Sequence, residues 1–118
     1  MTVSITMGTI ESSAIRRDLD ATGIEYIVVG SISSDRQVTV EYSIELPASG
    51  RAITGTVILN QDGIDVDLNN MYSYTEPEIE TVLLSADILG TNLRLIVETN
   101  GLGENPVMTY KRTALPVA

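Results

Sequence analysis

The sequence predicts an all-β protein: an antiparallel β-sandwich of jelly-roll-like topology, with about seven or eight strands and at most one short helical turn. Three observations carry this. Residues Val38-Thr39-Val40-Glu41-Tyr42-Ser43-Ile44-Glu45-Leu46 alternate apolar and polar without a break, the period of a strand with one buried and one wet face. Less regular runs recur at roughly 8–12-residue spacing between turn residues, as in sandwiches and barrels. No amphipathic stretch is long enough for the helix that a parallel crossover requires.

Along the chain, residues 2–10 alternate weakly and suit a short first strand. In Glu11–Asp20, Ser12 or Ser13 is placed to cap a helical turn, with Ile15 and Leu19 four apart on one face and Gly23 as its stop. A segment so short is no stable helix by itself, so a helical turn or ordered loop is expected. Ile24–Gly30 is apolar and β-branched and predicts a well-buried strand, followed by a polar turn over Ser31–Asp35. After the alternating strand, Pro47-Ala48-Ser49-Gly50 has the residues of a turn. Ala52–Leu59 is a strand in which Gly55 marks a bulge or a close approach. Asp62-Gly63 then signals a hairpin into Ile64–Leu68.

Residues 69–78 read as irregular. Residues 79–89 fit a helical face (Ile79, Val82, Leu83, Ala86) or a strand face (Val82, Leu84, Ala86), and the β-branched Thr81-Val82 before a Gly90-Thr91 turn favours the strand. Asn92–Thr99 is a strand. Residues 100–105 form a glycine-containing hairpin loop, and Val107–Arg112 is a last strand paired with 92–99. The whole of 1–118 is expected to be one domain, with a loose C-terminal tail from about residue 113.

Composition excludes more than it selects. The chain has 118 residues and no His, Cys, Trp or Phe. Without Cys there is no disulfide, no thiolate nucleophile and no thiolate metal site; without His there is no Ser-His-Asp triad. Sixteen acidic against seven basic residues give a net charge of −9. A field of that sign repels phosphate backbones and anionic membranes, so neither nucleic acid nor membrane is an expected partner. The N-terminus has no basic region followed by a long apolar run, and no apolar run approaches the ~20 residues of a membrane span. The expectation is a soluble protein made in the cytoplasm.

Two chemistries remain to be weighed. Asp62, Asp65 and Asp67, with Asn60, Asn69 and Asn70, form an oxygen-rich stretch of the type Ca²⁺ favours. Strand geometry argues against it. Alternate side chains on a strand stand ~7 Å apart at their Cα atoms, so these three cannot close on one ion unaided. No metal and no cofactor are expected. A carboxylate-dependent glycosidase would need two acids facing across a cleft, roughly 5–9.5 Å apart. Glu76, Glu78 and Glu80, and Glu41 with Glu45, are better read as solvated faces. No catalytic residue is assigned, and a non-enzyme is expected.

Binding suits the residues better. Tyr72 and Tyr74 alternate, so both rings can face one way, and paired tyrosines on a β-surface stack on sugar rings or anchor a protein partner. Asn69, Asn70 and Glu76 supply hydrogen-bonding groups nearby. The simpler alternative is that one or both rings cap the core. A self-interface is the third option, because sandwiches with aliphatic sheet faces commonly oligomerise.

The segments Gly90-Thr91-Asn92-Leu93-Arg94-Leu95-Ile96-Val97-Glu98 and Pro106-Val107-Met108-Thr109-Tyr110-Lys111-Arg112, joined by a glycine-rich loop, resemble the small β-sandwich domains of bacteriophage virion appendages: tail-fibre tips, baseplate modules and head-fibre proteins. The resemblance covers about a quarter of the chain and carries no functional residue across. It implies a structural or binding module of a phage or phage-derived particle. Such a module associates with itself, commonly as a trimer, and with other particle proteins, and is assembled into a virion. A carbohydrate-binding module using Tyr72 and Tyr74 is the alternative.

Overall fold

The computed structural model describes residues 14–75 and 81–117. Among them are eight strands: β1 (Ile15–Asp18), β2 (Gly23–Ser31), β3 (Asp35–Leu46), β4 (Arg51–Gln61), β5 (Val66–Tyr74), β6 (Val82–Leu89), β7 (Asn92–Thr99) and β8 (Val107–Pro116). They form a five-stranded sheet of order β1-β8-β3-β4-β5 and a three-stranded sheet of order β2-β7-β6. Every pairing is antiparallel. The fold is the β-sandwich that the alternation predicts. As in a jelly roll, the first strand pairs with the last and the second with the seventh. Unlike one, β3, β4 and β5 run as a meander within one sheet.

The alternating run is the centre of the molecule. Val38, Val40, Ile44 and Leu46 of β3 are sealed from solvent and Tyr42 nearly so. They pack with Val57 and Leu59 of β4, Met108 and Tyr110 of β8, Leu93, Leu95 and Val97 of β7, and Ile27 and Val29 of β2, in one core shared by both sheets. Each such aliphatic side chain taken fully out of water stabilises the fold by about 1.5–3 kcal/mol. From the three-stranded sheet's third strand, Val82, Leu84, Ala86 and Ile88 pack against this core half-buried. The strand reading of that segment therefore holds for Val82–Leu89.

The turns follow their chemistry. Gly90 adopts φ +64° in the two-residue connection between Leu89 and Asn92, a left-handed conformation that suits glycine. The hairpin at Asp62-Gly63 is present, with Gln61 pairing Val66 across a four-residue loop.

Several expectations are corrected. The described part of the predicted helical turn is strand β1, laddered on β8 from Ile15↔Tyr110 to Asp18↔Val107. An available sheet edge offers four residues more hydrogen bonds than one isolated helical turn can close. Residues 69–74, expected to be irregular, are strand, because the ladder with β4 runs from Val66 to Tyr74 and overrides the weak β propensity of Asn. The last strand does not pair with 92–99. β8 lies between β1 and β3, and residues 100–106 cross between sheets instead of closing a hairpin.

That crossing is held over the sandwich end by buried Leu102 and Pro106 and by bonds to the β1–β2 connection. Leu102 N donates to Ala21 O at 3.2 Å, Leu19 N to Pro106 O at 2.9 Å, and Gly101 N to the Thr22 hydroxyl at 2.8 Å. The tail expected to be loose from residue 113 continues β8 to Pro116, opposite Asp35. Strand β2 is buried on one face only: Ile24, Tyr26 and Val28 are 50–57% exposed. The strand proposed over residues 2–10 lies outside the described residues.

Gly55 is a close approach rather than a bulge. A Cβ there would stand 2.7 Å from both Met71 O and the Tyr42 hydroxyl. Gly55→Ala is expected to lower stability by about 1–3 kcal/mol, the usual range for overpacking. Denaturant unfolding checks this; an unchanged midpoint would contradict it.

Candidate functional site

The two tyrosines picked out by alternation sit on β5, an edge strand of the larger sheet. Register settles their direction. Tyr74 pairs Ile53, Tyr72 pairs Gly55, Asn70 pairs Val57 and Leu68 pairs Leu59. Since Ile53, Val57 and Leu59 are buried, Tyr72, Tyr74 and Asn70 project from the inner face, where β5 reaches past the covered core. Tyr72 is 50% and Tyr74 40% exposed, and their ring centroids are 6.3 Å apart with planes at 38°. Neither ring caps the core.

Asn70 joins them indirectly. Because Gly55 has no side chain, the Tyr42 ring extends across it, and its hydroxyl donates to Asn70 Oδ1 at 2.8 Å. Burial pushes the Tyr42 hydroxyl above the ordinary tyrosine value, against the opposing effect of the Asn70 bond. Asn69 pairs Ile58 and faces the opposite way, so it does not belong with the tyrosines. Glu76 lies outside the described residues, as do Glu78 and Glu80. On the outward side of this stretch, an open depression of about 480 Å³ is lined by Glu41, Thr54, Thr56, Met71 and Ser73, among others. Glu41 and Glu45 are both exposed on that outward face.

The acidic hairpin is built by local turn chemistry. Asp62 Oδ1 accepts from the backbone N–H of Asp65 at 2.8 Å and of Ile64 at 3.0 Å. Arg36 lines the same depression as Asp62, Asp65 and Asp67 and brings a positive charge to it. Among the described residues no three acidic side chains are grouped as metal ligands.

A second surface was not anticipated. The outer face of the three-stranded sheet carries Ile24, Tyr26 and Val28 from β2, Arg94, Ile96 and Glu98 from β7, and Leu83, Ser85, Asp87 and Leu89 from β6. The register aligns Val28, Arg94 and Asp87 in one row and Tyr26, Ile96 and Ser85 in the next. Arg94 donates from Nε and Nη2 to the two Asp87 oxygens at 2.7 and 2.6 Å, and its guanidinium stands 4.4 Å over the Tyr26 ring. The hydrogen bonds from Arg94 hold the Asp87 carboxyl below its ordinary value. Leu83 and Leu89 are 60% and 58% exposed. The signal in the sequence was the apolar run Tyr26–Val29 behind Ile24, which reads equally as a strand buried on both faces. The Arg94–Tyr26 stack needs the β2–β7 pairing and has no local signature.

Fold and surface together define a two-sheet antiparallel sandwich with an aromatic edge strand and one apolar outer face. No family model and no curated protein matches the chain. Among solved structures, it is similar to the tailspike protein of Acinetobacter phage vB_ApiP_P1, with TM-score 0.54 and 8% identity over 99% of this chain and 26% of that one. The likeness is one of fold, and this chain spans about a quarter of the tailspike's length. Among the described residues, no helix is long and apolar enough to cross a membrane.

Asp62 generates a pH prediction. Its folded pKa is held below the ordinary 3.8, first by the N–H of Asp65 and then by that of Ile64. A depressed carboxylate contributes stability that is present above the unfolded value and lost as pH falls through the folded one. Asp62→Asn keeps an accepting oxygen and removes the charge. It should lower Tm at neutral pH, with the gap closing as pH falls below 3.8. A gap that stays constant through the acid range contradicts this.

Proposed function

We propose that this chain is a non-enzymatic structural or binding module of a phage or phage-derived particle, working as a homo-oligomer beside other particle proteins. One observation carries the reading: almost the whole chain matches, in fold, one stretch of a phage tailspike. The residue types support it. A chain without His or Cys, in which Arg94 and Asp87 form a bidentate structural clamp, is equipped to hold shape and make contacts rather than to move protons. Mass spectrometry of purified particles from the host that carries the gene tests the reading. The chain should be recovered in fixed proportion to the major particle proteins, and its absence overturns the proposal.

A second reading is favoured by the tyrosine geometry. Two half-exposed rings on one face, 6.3 Å apart, make a platform suited to stacking against a sugar. On a broad glycan array, replacing both Tyr72 and Tyr74 with Ala should abolish binding and leave the melting temperature within a few degrees of wild type. A blank array for the wild-type protein ends this reading.

A further inference from the structure

We infer that the outer face of the three-stranded sheet is the surface through which two copies of this chain pack face to face about a twofold axis; this deepens, and rests on, the oligomeric reading above.

The two outer faces of the sandwich differ in kind. The larger sheet presents Ser43, Thr54 and Thr109 in one row and Glu41 with Lys111 in another, and its exposed apolar side chains Met71 and Leu115 stand apart, on β5 and β8. The smaller sheet presents Ile24, Tyr26, Val28, Leu83 and Leu89, each at least half exposed. Apolar side chains gathered on one exposed sheet face mark a contact. With Arg94, Asp87, Ile96 and Glu98 between those side chains, the face extends across all three strands of the smaller sheet.

The charge pattern selects a second copy as the occupant. A protein of net charge −9 repels its own copies unless opposite charges meet across the contact. Along β7, the central strand, the outward side chains read Arg94, Ile96, Glu98. A twofold axis lying between the sheets, perpendicular to β7 and over Ile96, reverses that order in the mate. It sets Arg94 opposite the partner's Glu98 and Ile96 opposite its counterpart, and the second ion pair follows by symmetry. The same axis brings Tyr26 over its counterpart and Ile24 over the partner's Val28. Arg94 uses Nε and Nη2 on Asp87, and Nη1 takes no part in that clamp. Stacked on Tyr26 and fixed by Asp87, Arg94 is held before contact, so little side-chain freedom is lost on docking. Tyr and Arg are also the residues that most often dominate interface energetics. Two sheets stacked this way, ~10 Å apart, repeat the packing of the sandwich interior.

Sedimentation equilibrium from micromolar to several hundred micromolar tests this. The wild-type chain should be a dimer with Kd in the micromolar range or tighter, as interfaces of standard size give. Replacing Ile24 and Leu83 together with Glu should raise Kd at least 100-fold with Tm retained, since both project outward. Glu98→Arg sets like charges opposite each other across the axis and should raise it about tenfold. Replacing Thr54 and Thr109 with Glu, on the opposite face, should leave the dimer intact. A dimer indifferent to the Ile24/Leu83 change, or a trimer, overturns the inference. So does a wild-type monomer throughout, the result expected if another protein covers this face. In each of these cases, recovery of the chain from purified particles keeps the particle-module reading standing.

Discussion

Everything in this fold depends on the burial of one face of β3. Val38, Val40, Ile44 and Leu46 have no contact with solvent, and Tyr42 has almost none. The strand is laddered to β4 on one side and β8 on the other over nearly its whole length. A strand hydrogen-bonded on both edges and covered on one face cannot slip by one residue without turning five core side chains into water and five polar ones inward. That penalty fixes the register of β4 and β8, and through them β5 and β1. It also supplies the apolar bed on which β2 and β7 lay Ile27, Val29, Leu93, Leu95 and Val97.

The functional surfaces are consequences of that arrangement. The larger sheet has more strands than the smaller one. Its edge strand therefore carries inner-face side chains that the smaller sheet does not cover, and these are Tyr72 and Tyr74. Gly55 links them to the core: its missing side chain lets Tyr42 reach across the sheet to Asn70. The open side between β1 and β2 is closed differently, by the Arg17–Glu25 ion pair from one sheet to the other. The smaller sheet keeps an outer face that the described residues leave largely exposed, pinned by the Arg94–Asp87 clamp and the Tyr26 ring.

What was legible in the sequence is what parity controls. Alternation placed β3 correctly, and the i, i+2 spacing of Tyr72 and Tyr74 put both rings on one side. The same parity separates Asn69 from Asn70, whose side chains leave opposite faces. Asp62-Gly63 marked its hairpin because the turn is made by its own backbone and carboxylate. What was not legible is non-local. The partner of β8 is β3, about seventy residues earlier, and nothing near Val107 records it. Ile15–Asp18 becomes a strand only because β8 offers an edge. The exposure of Ile24, Tyr26 and Val28 was hidden for the opposite reason. An apolar run states that a strand seeks burial on both faces, but not whether its own chain or another molecule supplies the second cover.

The account makes the two outer faces different in kind, one for solvent and one for contact. Hydroxyl-radical footprinting compares them directly in one sample. Tyr26 and Leu83 report the contact face, and Met71, 55% exposed on the outward side of β5, reports the solvent face. Between dilute and concentrated protein, oxidation of Tyr26 and Leu83 should fall several-fold while that of Met71 holds steady. Equal labelling of Tyr26 and Leu83 at both concentrations, or protection of Met71 in their place, would contradict the account.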